Sequence, residues 1–160
     1  MRRISSTLII FAALATGCDR GSHPRNISTP APQFTISDGT NSADLSKLRG
    51  HIVLLNFWAT NCAPCIEELP SLLALQRQMP NLEIVAVSSD EDPAAYQYFL
   101  TRHNINLLTI REPDQKTAKL YGTVQIPETY VIDRNGVLRR KFVSAQDWTS
   151  PEIISYLNHL

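Results

Sequence analysis

The sequence predicts an α/β fold: a mixed central β-sheet with helices on both faces. Three observations carry this. The runs Ile52–Trp58 and Leu82–Ser88 are almost unbroken in apolar residues, the pattern of strands buried on both faces rather than one. Each run precedes a segment with helical spacing, and strand–helix–strand alternation implies parallel strands joined by right-handed crossovers. Near the C-terminus, residues 130–132 and 137–143 flank Asn135-Gly136, a hairpin signal expected to carry a type I′ turn and to add antiparallel strands. A length of 160 residues suits one such domain plus an extension. Lys+Arg and Asp+Glu both number 15, so there is no basic face and nucleic acid is not an expected partner.

In chain order, residues 1–17 combine Arg2 and Arg3 with an apolar run at 8–15 and the small residues Thr16-Gly17, the layout of a bacterial export signal. The run is shorter than the roughly 20 residues that a spanning helix needs. Ala15-Thr16-Gly17-Cys18 looks like a lipobox, which makes Cys18 the expected lipidation site; a soluble secreted form is the alternative. Residues 18–32, rich in Gly, Ser, Pro, Asn and Thr, read as a linker, leaving 33–160 as the domain. Phe34 and Ile36 alternate with polar residues before Asp38-Gly39, as in a short edge strand opening a hairpin. After the first buried run, Leu69, Leu72, Leu73 and Met79 share one helical face, with a kink expected at Pro70. Pro80-Asn81 ends that helix. Asp92-Pro93 reads as an N-cap with proline at the first helical position, and Tyr96, Phe99 and Leu100 follow it. Residues 107–110 form a strand or an extended segment, and 114–121 a short helix closed by Gly122. Ser150-Pro151-Glu152 caps a final helix bearing Ile153, Ile154, Leu157 and Leu160.

The chemistry lies in Trp58-Ala59-Thr60-Asn61-Cys62-Ala63-Pro64-Cys65. A strand feeding this stretch, with a helix after it, places both sulfurs in the first turn, where unmatched N–H groups and the positive end of the helix dipole favour thiolate over thiol. Thiol–disulfide exchange is the reaction this suggests. The rival, half of a structural zinc site, lacks a second cysteine pair, and His23, His51, His103 and His159 are scattered. No metal site and no cofactor are expected. Lipidation of Cys18 leaves one redox pair out of three cysteines.

Phe57-Trp58-Ala59-Thr60-x-Cys62-x-Pro64-Cys65, Pro70 and residues 126–133 (Ile-Pro-Glu-Thr-Tyr-Val-Ile-Asp) together resemble the thioredoxin superfamily. Within it they are similar to the exported, membrane-tethered TlpA/ResA/CcmG-like thiol–disulfide oxidoreductases, from Phe34 to the C-terminus. The resemblance implies a thioredoxin-like fold with an N-terminal β-hairpin extension and a central insertion near 93–122. It also implies Cys62 as nucleophile, Cys65 as resolving thiol and a cis Ile126–Pro127 bond facing the pair. The Ile126 backbone would pair with an extended substrate segment, with Trp58 and Pro64 on the same binding surface. Asn56 stands where thioredoxin has a titratable aspartate, and Glu68 matches a glutamate with an acid–base role. Asn61 replaces the usual second tryptophan and is a good N-cap. Glu128 is either a partner contact or an exposed strand-end charge, and His51 a solvated residue.

The resemblance further implies a monomeric, periplasmic or otherwise extracytoplasmic lipoprotein, tethered to the membrane. It would take electrons from a membrane donor protein and act on protein disulfides, in cytochrome c maturation or copper-site assembly. Ala63-Pro64 resembles the dipeptide of reducing members. Two other functions compete: a peroxiredoxin-like thiol peroxidase using Cys62, and a Cu(I) carrier using both thiolates as soft ligands.

Overall fold

Strand β3 (Ile52–Trp58) is the centre of a five-stranded sheet, and every one of its residues is buried. The computed structural model describes residues 27–160; the expected export signal at 1–17, Cys18 and linker residues 19–26 lie outside them. Along β3 the side chains alternate between two cores. Val53, Leu55 and Phe57 join Phe34, Val85, Tyr121 and Tyr130 on one face. Ile52 and Leu54 join Leu72, Leu75, Ile84, Trp148 and Leu157 on the other. Period-two alternation between two apolar cores is why the run is apolar throughout.

The remaining elements are β1 (Thr35–Ser37), β2 (Ser42–Asp44), a 3-10 turn (Leu45–Leu48), α1 (Ala63–Gln78), β4 (Leu82–Ser88), α2 (Pro93–Arg102), β5 (Leu108–Arg111), α3 (Lys116–Tyr121), β6 (Glu128–Ile132), β7 (Leu138–Val143) and α4 (Pro151–Asn158). The sheet order is β5-β4-β3-β6-β7. Strands β3, β4 and β5 are parallel, while β6 is antiparallel to β3 and β7 to β6. This is the expected thioredoxin-like mixed sheet. The stretch 93–122 carries α2, β5 and α3 and so supplies one sheet edge. The β1–β2 hairpin is fastened to that edge: the Arg111 N–H donates to Asp38 Oδ2 at 3.1 Å, and Asn41 Nδ2 donates to the Thr109 carbonyl at 3.0 Å. α1 continues through Pro70, and Asp92 and Ser150 cap α2 and α4 as expected.

Two expectations are corrected. Residues 28–31, within the stretch read as linker, are already docked: the Ser28 N–H donates to the Leu138 carbonyl at 2.7 Å and the Ala31 N–H to the Gly136 carbonyl at 2.9 Å. Backbone groups can bond a strand edge whatever their side chains, so linker-like composition concealed this docking. The β6–β7 turn is not type I′, because Gly136 has a positive φ (72°) and Asn135 does not. Asp133 Oδ1 accepts from the Asn135 and Val137 N–H groups, each at 2.9 Å. The Gly136 N–H donates to the Asp133 carbonyl at 2.8 Å, giving a type I turn completed by a left-handed glycine.

Candidate active site around Cys62 and Cys65

β3 ends at Trp58, and the Cys62 N–H donates to the Ala59 carbonyl at 3.2 Å, turning the chain into α1. Cys62 is therefore the N-cap, with its Sγ accepting from the Cys65 N–H at 3.3 Å. Asn61, expected as the cap, lies outside the helix and is exposed, because the 59–62 turn moves the cap one residue on. The two cysteines are joined in a disulfide. Cys65 is 1% exposed, whereas Cys62 is half-buried and flanked by exposed Asn61, Ala63 and Pro64.

The Ile126–Pro127 bond is cis. Ile126 packs against the cluster of Trp58, Cys65, Ala86 and Tyr96, which Cys62 also touches. Trp58 does not reach the surface where a substrate would be met. It is 2% exposed, with its ring centroid 6.2 Å from Tyr96 and 5.7 Å from Phe99. As the last residue of a strand covered on both faces, it forms the floor beneath the sulfurs instead.

Glu68 lies one turn beyond Cys65 on the same side of α1 and is 2% exposed. Its Oε1 accepts from Asn56 Nδ2 at 2.9 Å, and its Oε2 from the Gln146 N–H at 3.2 Å and Trp148 Nε1 at 3.1 Å. Asn56 Nδ2 also donates to Thr129 Oγ1 at 2.9 Å. Burial pushes the Glu68 carboxyl above its ordinary range, and the Trp148, Gln146 and Asn56 donors pull against that shift without cancelling it. Gln146 and Trp148 complete the Glu68 site. They come from the β7–α4 connection, far away in sequence, and no local pattern marks them.

Glu128 is neither a partner contact nor an exposed charge, being 1% exposed. Its Oε2 pairs with Lys141 Nζ at 2.8 Å and accepts from the Tyr130 hydroxyl at 3.1 Å. The cause is register: Glu128 opens β6, yet it is paired with Phe57 in β3 on one side and with Val143 in β7 on the other, so neighbouring strands cover this strand end. Asn56 and Phe57 point to opposite faces, so Glu68 and Glu128 are buried on opposite sides of the sheet. His51 stays away from the sulfurs, with its Nδ1 3.3 Å from the Asn81 carbonyl. Among the described residues no group of three or more His, Cys, Asp or Glu side chains is placed to hold a metal ion.

Comparisons with known proteins agree with this geometry. The AhpC/TSA family matches residues 27–141. The thiol-disulfide oxidoreductase ResA of Bacillus subtilis is 30% identical over 131 residues, covering 80% of this chain and 72% of that protein. The thiol:disulfide interchange protein DsbE of Pseudomonas aeruginosa is 32% identical over 125 residues, covering 76% and 68%. Among solved structures, a chain from Chlorobium tepidum provisionally assigned as a DsbE thiol:disulfide interchange protein superposes with a TM-score of 0.75 at 26% identity, over 81% of this chain and 94% of that one. With its thioredoxin-like fold and its cysteine pair at a helix start, the chain belongs to the AhpC/TSA family, among the thiol–disulfide oxidoreductases of ResA and DsbE type.

Proposed function

We propose that the protein reduces disulfides of partner proteins outside the bacterial cytoplasm, with Cys62 as the attacking sulfur. The unequal exposure of the two sulfurs carries this reading: a target can reach half-buried Cys62 but not Cys65 at 1% exposure. In the reduced protein, the Cys62 thiolate attacks one sulfur of the target disulfide, and the other sulfur leaves as a thiolate. Cys65 then gives up its proton and attacks Cys62 Sγ, which frees the target's remaining thiolate and restores the Cys62–Cys65 bond. Glu68, one turn away, takes the acid–base role in that second step: its carboxylate accepts the Cys65 proton, and its acid form, favoured by burial, passes a proton to the leaving thiolate. Ile126 offers a free edge for an extended target segment, since neither its N–H nor its carbonyl has a hydrogen-bond partner among the described residues. Pro64 borders the same opening.

The oxidised pair must then be re-reduced, which calls for a membrane protein relaying electrons; Cys18 would supply the lipid tether. Apocytochrome c cysteines or a copper-assembly protein are the targets this reading favours. Two measurements test it. Equilibration with glutathione should place the Cys62–Cys65 potential near the thioredoxin value of about −270 mV; a value near about −120 mV makes the protein an oxidant and overturns the direction. Cys65→Ser should accumulate mixed disulfides on Cys62 in cells, and none should form on Cys62→Ser. Peroxide turnover without a disulfide substrate would instead support the peroxidase, and Cu(I) binding that survives glutathione with poor exchange would support the carrier.

A further inference from the structure

We propose that Asp90 is a positioning residue for Cys62, holding the turn that carries the nucleophile through its bonds to Thr60. The proposal rests on the reading that Cys62 is the attacking sulfur. Asp90 lies just after β4 and its carboxylate faces the 58–62 turn. Oδ1 and Oδ2 accept from the Thr60 N–H at 3.2 and 3.1 Å, and Oδ1 accepts from the Thr60 hydroxyl at 2.5 Å. The Ser88 hydroxyl donates to Oδ2 at 2.5 Å. Thr60 is two residues before Cys62 and inside the turn closed by the Cys62 N–H and the Ala59 carbonyl.

Asp90 is itself fixed to the sheet. Its N–H donates to Ser88 Oγ at 3.1 Å, and Arg111 Nη1 donates to the carbonyls of Asp90 and Glu91 at 3.3 and 3.2 Å. Arg111 is held in turn by Asp38 from the β1–β2 turn. The Ser89 N–H donates to the Trp58 carbonyl at 3.1 Å, so the start and the middle of the 58–62 turn are both bonded to the segment after β4. The redox turn is thus bonded to the segment that follows β4, an inner strand of the sheet.

Two opposite consequences for Cys62 follow from one carboxylate. Its negative charge disfavours a second anion nearby. Its hydrogen bonds keep Cys62 at the N-cap, where the Cys65 N–H reaches Sγ at 3.3 Å and the helix start favours a thiolate. Asp90 is half-buried, its charge is answered by the Thr60 and Ser88 donors with Arg111 beside it, and water screens what remains. The positioning effect therefore wins, and its sign differs from that of the charge.

The test uses the reduced full chain and follows alkylation of Cys62 by iodoacetamide against pH, with Cys62 identified by peptide mapping. Asp90→Ala and Thr60→Val should each move the Cys62 titration up by about one pH unit and slow its alkylation at neutral pH about tenfold. Thr60→Ser, which keeps both donors, should match the wild type. A downward shift in Asp90→Ala overturns the proposal in favour of charge, and an unchanged titration in Thr60→Val overturns it outright. Thr60→Val decides alone if Asp90→Ala does not fold. Alkylation needs no protein substrate, so an inability to reduce partner disulfides refutes the functional reading without touching this one.

Discussion

Asn56 on β3 and Glu68 on α1 are joined by a hydrogen bond of 2.9 Å inside the protein. The relationship assigns the two residues complementary duties. Asn56 cannot titrate, but it supplies a donor to a buried carboxyl one turn beyond Cys65 that can. Every group that touches the Glu68 carboxylate is a donor, an arrangement suited to the anion. Burial nevertheless tips the balance toward the acid.

Glu68→Gln should therefore change how stability depends on pH. A carboxyl raised above 4.5 in the folded state keeps its proton to higher pH there than in the unfolded chain. Its stabilising contribution is fully present below the unfolded value and is lost as pH rises through the folded one. Urea unfolding at a series of pH values should show the wild type losing ground to Glu68→Gln across that window. A constant difference between the two proteins would contradict it.

Asn56→Asp would place a second carboxyl against Glu68 and remove the Nδ2 donor shared with Thr129. Two buried carboxylates cannot both ionise cheaply, so the variant should lose about 2–4 kcal/mol at neutral pH and recover part of it in acid. Equal stability of variant and wild type at pH 7 would remove the argument.

Lys141→Met isolates the second buried glutamate. The Lys141 and Glu128 side chains are 5% and 1% exposed, and removing one partner of a buried pair typically costs about 3–5 kcal/mol. Adding Glu128→Gln should recover much of the loss, since the stranded charge, not the missing contact, is the main penalty. A double variant no more stable than Lys141→Met would point to packing instead.

Gly136→Ala should cost about 1–2 kcal/mol from its left-handed backbone alone. A Cβ there would also overlap the Arg49 guanidinium, which bonds the Asn135 carbonyl. The loss should appear as a lowered Tm, and an unchanged Tm would show that the turn can rearrange to leave residue 136 out of the left-handed region.

Much of this protein could be read from its sequence because its signals are local. Continuous apolar runs, Asp92-Pro93, Ser150-Pro151 and the cysteine spacing each fix an element or a cap within a few residues. The features without a local signal depend on pairing between distant segments. Glu128 reads as a strand-end charge until the register with Phe57 and the arrival of Lys141 bury it. Nothing near Trp148 in the chain marks its indole as a partner of Glu68, eighty residues away. Residues 28–31 read as linker because a docked backbone leaves no trace in side-chain composition, and Thr60 owes its partner to a loop thirty residues away. Asn61 remains exposed, with no structural reason for asparagine there.

The docking of residues 28–31 also gives the domain a heading. They bond Gly136 and Leu138, beside the turn after β6, and the register of Val53 with Ile132 and Phe57 with Glu128 puts that turn at the end where β3 begins. Cys62 follows the end where β3 finishes. The described chain thus enters the domain at the pole opposite the sulfurs, and the disulfide lies at the far end from that entry.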